Sequence, residues 1–200
     1  MADIRTRAGE QTRRRLLEAA ATAFSRRGYH GTATAEIAAA AGVSEPTLFK
    51  HFGSKQALLV AALKQTASDL MAELDAPFDP AEDPFEAFVE RARGLLGDPK
   101  LAQLSRLRNF ALALTDEADL SGLTSELDRF LERVADAVVL GQKTGALRRD
   151  VTPADVSELV FAVSLLFGFR SALVGDGPAA DRLSSVVDTL LTTLRAPERS

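Results

Sequence analysis

Apolar residues along this chain recur at intervals of three and four, and alternation of apolar with polar positions is nowhere sustained. That period sets one face of a helix against a core, so the pattern predicts an all-α fold. Leu16, Leu17, Ala20, Ala21 and Phe24 make the stripe of a first helix, which Thr12 can start and Gly28 can end just past its last turn. Two short helices follow, and then a long one over Lys55–Leu74 with Leu58, Leu59, Ala62, Leu63, Leu70, Met71 and Leu74 on its apolar side. Between 75 and 84 stand three prolines and four acids, which predicts a loop. Beyond it the spacing predicts helices over 85–96, 99–114, 120–140, 153–173 and 179–194, giving about nine in total. Pro99 and Pro153 suit first helical turns, with Asp98 and Thr152 as their N-cap candidates. The tail over 196–200 is expected to fray.

Composition removes several chemistries. The 200 residues include no Cys and two His, which excludes disulfide scaffolds, zinc fingers and thiol nucleophiles and leaves no metal or cofactor expected. Arg5, Arg7, Arg13, Arg14 and Arg15 crowd the start where a secretory signal would need an apolar run. The apolar stretch over 159–169 is too short to cross a bilayer, so a soluble cytoplasmic protein without a membrane partner is expected. The net charge of −4 argues at first against a nucleic-acid partner. It is unevenly distributed, however. Residues 1–56 hold nine Lys and Arg against five Asp and Glu, and the remainder holds fifteen against twenty-three. The two parts carry +4 and −8, an asymmetry that suits an electrostatic footprint confined to the first.

From Thr32 to Lys55 the sequence reads TATAEIAAAAGVSEPTLFKHFGSK. Ile37 and Ala38 face inward on a short helix, Gly42 suits a tight turn of positive φ, and Val43 fills the angle before the next helix. Ser44 can cap that second helix, Pro46 stands near its start, and Leu48 and Phe52 return to the core. Glu45, Pro46, Thr47, Phe49, Lys50 and His51 are left facing outward or sideways, on a short helix of the kind that enters a major groove.

The phrase AGVSEPTLFKHFGSKQALL resembles the DNA-binding domain of the Tet repressor (TetR/AcrR) family of bacterial transcription regulators, and the likeness extends over about 11–63. The resemblance implies a DNA-binding domain over 1–56, with the helix-turn-helix at about 34–52, and an effector-binding and dimerisation domain over 57–200. It implies a recognition helix over 46–52, with Glu45, Pro46 and Thr47 nearest the base edges and Ser44 beside them. Their chemistry agrees: Glu45 can accept from a cytosine N4 amino group, and Pro46 and Thr47 can meet a thymine methyl. Phosphate contacts are expected from Thr34, Lys50, His51 and Lys55, the last at a helix N-terminus that favours an anion. Phe49 stands where the family commonly has Tyr, whose hydroxyl reaches a phosphate, and Ala35 where Arg is frequent, so that hydrogen bond and one groove or backbone contact of the family are absent. Plainer readings stand beside these. Glu45 at a helix start can be simply solvated, Phe49 and Phe52 can be core residues, His30 reads as a surface turn residue, and Arg13–Arg15 can be a solvent face.

The rest of the chain resembles the family only in length and helical character. Val156, Val160 and Val163 on one predicted helix, and Leu183, Val187, Leu190, Leu191 and Leu194 on the last, form stripes broad enough for a homodimer interface as well as an internal core. Leu104, Leu107, Arg108, Phe110, Phe161, Ser164, Phe167 and Arg170, with Asn109 and Phe169, offer apolar walls and a few polar groups for a small organic effector. The expected function is a homodimeric repressor released from a palindromic operator in double-stranded DNA by a small lipophilic ligand. A ligand-independent or activating regulator of the same fold is the alternative. An all-α enzyme, lacking any acid/base pair with a motif, is the remote one.

Overall fold

The computed structural model describes residues 2–76, 83–96, 98–114 and 121–196. Among them lie nine helices: α1 (Ala2–Arg27), α2 (Thr34–Ala40), α3 (Glu45–Phe52), α4 (Lys55–Leu74), α5 (Pro84–Leu96), α6 (Pro99–Ala113), α7 (Ser121–Thr144), α8 (Pro153–Val174) and α9 (Asp176–Leu194). The expected all-α class is observed, and no described helix is long and apolar enough to cross a membrane. The predicted loop over 75–84 and the tail over 196–200 fall largely on 77–82 and 197–200, outside the described residues.

Three boundaries differ from expectation. α1 begins at Ala2 rather than Thr12, because residues 2–11 have helix-compatible backbone but no apolar stripe to announce it. α7 runs on to Thr144, where Gly145 turns the chain at φ 84°. α9 starts at Asp176, directly after Gly175 at φ 87°. Asp98 caps α6 as expected, its carboxylate accepting the Lys100 amide at 2.7 Å. Thr152 occupies the N-cap of α8 without a side-chain cap bond.

The chain forms two compact units, one over 1–67 and 106–123, the other over 68–105 and 124–200. The expected division after residue 56 falls inside α4, whose buried Leu58, Leu59, Ala62 and Leu63 belong to the first unit. In that unit α2 packs on α1 and α3. Leu16, Ala20, Phe24, Ile37 and Leu48 are fully buried there. From α6, Arg106 reaches the Ser25 carbonyl at 3.4 Å.

In the second unit, Phe85, Val89, Val138, Leu147 and Val156 form one cluster, and Ala102, Phe167, Ala179 and Leu183 another. Gly141 permits the first: a Cβ there would stand 2.8 Å from Leu147 and 2.9 Å from Phe85. Three arginines gather at the end of α4. Arg129 and Arg133 pair with Asp75 at 2.8 and 2.9 Å, and Arg91 donates to the carbonyls of Leu74 (3.3 Å) and Ala76. They neutralise Asp75 and satisfy carbonyls that a helix end leaves open. The last turn of α9 is fastened by a short antiparallel bridge between Leu147 and Arg195, with Arg148 N–H on the Leu194 carbonyl and Ala196 N–H on that of Ala146, both at 3.0 Å.

Candidate nucleic-acid interface

The first unit builds its outward helix in stages. α1 stops at Gly28, whose φ of 76° is open to glycine at little cost and whose N–H returns to Phe24 at 2.9 Å. The following turn is tight: a Cβ on Gly31 would meet the Arg27 carbonyl oxygen at 2.5 Å. Thr32 is buried beneath it, its hydroxyl within reach of the carbonyls of Gly28 (2.7 Å) and Ala23 (3.2 Å). α2 then buries Ile37 and Ala38, as its spacing predicts. Gly42 takes φ 69°, and its N–H and that of Val43 close on Ala39 and Ala38 at 3.0 Å. The chain thereby reverses into α3, which buries Leu48 and Phe52.

What α3 leaves outside follows from those two anchors. Pro46, Phe49 and Lys50 are exposed, Phe49 by 40%, while Glu45, Thr47 and His51 are half-buried at its edges. Phe49 is thus no core residue, whereas Phe52 is. Ser44 holds the N-cap position without capping: its hydroxyl pairs with that of Thr47 at 2.9 Å. Thr34 and Glu45, expected to face phosphate and base separately, are bonded to each other, the hydroxyl donating to the carboxylate. Lys55 opens α4 with its ammonium 4.5 Å from the centre of the Tyr29 ring, a cation–π contact that holds the charge at the surface. His30 is exposed and meets Tyr29 edge-on, the surface turn residue its glycine neighbours suggest.

Sequence reasoning missed three supporting groups. Arg13 lies over the Phe52 ring at 4.7 Å, bracing α3 from α1, while Arg14 pairs with Glu18 one turn away. Arg27 pairs with Glu36 across α1 and α2. Ser54 caps α4, its hydroxyl accepting the Ala57 amide at 3.0 Å; a serine directly before an apolar run is a legible cap.

The residues expected to line an effector cavity are divided between the two units. Phe169 and Arg170 face outward. Phe167 is buried against Ala102, Ala179 and Leu183, whereas Phe161 faces Phe130 at 6.3 Å between ring centres, and Ser164 donates to the Phe161 carbonyl at 2.7 Å. Leu104 is half-buried in the second unit. Leu107, Arg108, Asn109 and Phe110 belong to the first, where burial pulls the Arg108 pKa down. The first unit also carries an open, mainly apolar cleft of about 220 Å³ lined by Arg27, Tyr29, His30, Phe110, Ala113 and Leu114 with Gly28 and Gly31.

The residues expected at a dimer interface serve mostly the chain's own packing. Val156, Val160, Leu191 and Leu194 pack with the Phe85 cluster, and Val163, Leu183 and Val187 with the Phe167 cluster; Leu190 is half-buried. α8 turns a different apolar face outward. Leu159, Leu165, Leu166 and Phe169 are 46, 37, 57 and 61% exposed.

Residues 16–62 match the family model described as bacterial regulatory proteins, tetR family. The HTH-type transcriptional repressor AcnR of Corynebacterium efficiens is 30% identical over 189 residues, 94% of each chain. The HTH-type transcriptional regulator RutR of Escherichia coli is 33% identical over 162 residues, 80% of this chain and 73% of its own. Among solved structures, a TetR-family transcriptional regulator from Pectobacterium atrosepticum superposes with a TM-score of 0.72 at 26% identity, covering 96% of this chain and 98% of its own.

Proposed function

The chain belongs to the TetR family of bacterial regulatory proteins, DNA-binding regulators of transcription and not enzymes, and from that premise we propose a homodimeric repressor that a small lipophilic ligand releases from a palindromic operator. The observation that carries the dimer is the outer face of α8. Leu159, Ala162, Leu166 and Phe169 follow one another at three and four residues, and Leu165 stands beside them, all exposed. The opposite face of the same helix supplies Val156 and Phe167 to the core. A helix with apolar side chains on both faces belongs where both are covered, and a second copy placed across a two-fold axis covers this one with the same face.

Such a pair presents two copies of α3. Each reads one half-site, with half-sites centred about 34–36 Å apart or a multiple of that spacing. Pro46 and Thr47 offer apolar contact to bases, and Lys50, His51 and Lys55 meet phosphates. An operator of inverted repeats follows from the symmetry. The ligand acts by population shift: it favours the state whose two reading heads no longer match the half-site spacing, by no more than its differential affinity for that state.

The test is selection of bound DNA from a random duplex pool, followed by a screen of lipophilic compounds for release of the selected complex. Inverted repeats and at least one releasing compound are the expected results. A lone half-site overturns the dimeric reading, and indifference to every compound favours a ligand-independent regulator.

A further inference from the structure

Helix α3 begins with an arrangement of side chains that none of its expected DNA contacts accounts for. Thr34 is the first residue of α2 and Glu45 the first of α3, eleven positions apart, yet the Thr34 hydroxyl donates to Oε1 of the Glu45 carboxylate. Neither helix start uses a side chain as a cap. Ala33 precedes α2, and Ser44, preceding α3, is paired with Thr47. The polar groups at the front of α3 are therefore joined in two side-chain pairs, and one of these spans both helices of the helix-turn-helix.

A carboxylate brought near DNA is repelled by phosphates on every side, and a glutamate on a helix end has three freely turning bonds with which to swing away. A bond from a neutral hydroxyl removes that freedom without adding a positive charge that would draw phosphate instead. An ionised carboxylate accepts through both oxygens, so with Oε1 engaged, Oε2 keeps its full capacity as an acceptor. A single fixed acceptor is what the exocyclic amino group of cytosine requires in the major groove. We propose that Thr34 is a positioning residue for sequence recognition, its hydroxyl bond to Oε1 of Glu45 holding Oε2 toward a cytosine N4 amino group of the operator. The proposal rests on α3 being the reading helix and reassigns the Thr34 hydroxyl from a phosphate to the Glu45 carboxylate.

Selection from a random duplex pool, carried out in parallel on the full chain, Glu45→Gln, Thr34→Val, Thr34→Ser and the double variant Thr34→Val/Glu45→Gln, separates the possibilities. Thr34→Val keeps the branched shape and removes the hydroxyl. It is expected to lower the preference for cytosine about five- to tenfold at one position per half-site, the position at which Glu45→Gln acts. Thr34→Ser should keep that preference, and Thr34→Val should change nothing further once Glu45 is Gln. Circular dichroism melting of each variant checks that the helices remain.

Three results overturn the proposal. Thr34→Val can weaken every sequence equally and leave the preference intact, which makes its hydroxyl a phosphate donor. It can alter the profile as much in the Glu45→Gln background as alone, which makes the two residues independent. Glu45→Gln can leave the profile unchanged while DNA is still bound, which removes Glu45 from base reading and Thr34 with it. Failure of the unaltered chain to enrich any sequence is a distinct outcome, because it refutes the reading of α3 itself.

Discussion

Phe169→Glu is the substitution on which the dimer proposal stands or falls. A phenylalanine contributes roughly 150–250 Å² of surface, so a ring 61% exposed leaves about 120 Å² for a partner to cover. At about 25 cal/mol per Å², full coverage is worth about 3 kcal/mol per copy. In a two-fold interface each substitution counts twice, which puts the lost apolar burial alone at no more than about 6 kcal/mol, or about four powers of ten in the dimer dissociation constant. Partial coverage and the neighbouring Leu165 and Leu166 reduce the loss, and a rise of about a hundredfold is the conservative expectation. The subunit itself should be spared, since the ring is already mostly in water and Glu suits a helix interior. Sedimentation velocity over a dilution series should therefore find the dimer–monomer transition of the variant at about a hundredfold higher concentration than that of the unaltered chain. A variant that stays dimeric with an unchanged dissociation constant would refute the assignment of this face.

Three further outcomes can be checked directly. Phe49→Tyr restores a hydroxyl on the exposed ring of α3 and should tighten operator binding about two- to tenfold without altering base preference, as measured by fluorescence anisotropy. Lys55→Ala should weaken all sequences about equally and lower the slope of log affinity against log salt by about 0.9 for each phosphate no longer neutralised; an unchanged slope places the Lys55 ammonium away from the DNA. Gly141→Ala drives a methyl to 2.8–2.9 Å from Leu147 and Phe85 and should cost about 1–3 kcal/mol, read as an earlier transition in denaturant melts of the chain.

Much of this architecture is legible in the order of residues, for reasons of periodicity and backbone chemistry. α4 begins and ends where its apolar stripe does, and Gly28 and Gly42 take the positive φ their positions demand. Leu48 and Phe52 are buried because they stand four apart on a helix only eight residues long. The residues that escaped notice did so for equally definite causes. The first turns of α1 carry no apolar stripe, so periodicity is silent about them. α8 sets apolar residues around its whole circumference, with Asp155, Glu158 and Arg170 among them, so its composition cannot tell the inner face from the outer. Only its neighbours decide, by covering Val156 and Phe167 and leaving Leu166 and Phe169. The pairing of Thr34 with Glu45 and the stacking of Arg13 on Phe52 join residues eleven and thirty-nine positions apart. Such contacts exist only once the helices have packed, and no local pattern encodes them.

The bridge between Leu147 and Arg195 gives the end of the chain an unusual character for an all-helical protein. Chain ends in most domains can be trimmed, lengthened or tagged freely because nothing depends on their backbone. Here the amide of Ala196 is part of a joint, and the carbonyl it uses belongs to the corner between α7 and α8. A cut made before Leu194 would remove the Leu194 carbonyl and the Ala196 amide, the two groups that the end of α9 brings to that joint. Fusions at this end would attach to the unit that carries α8.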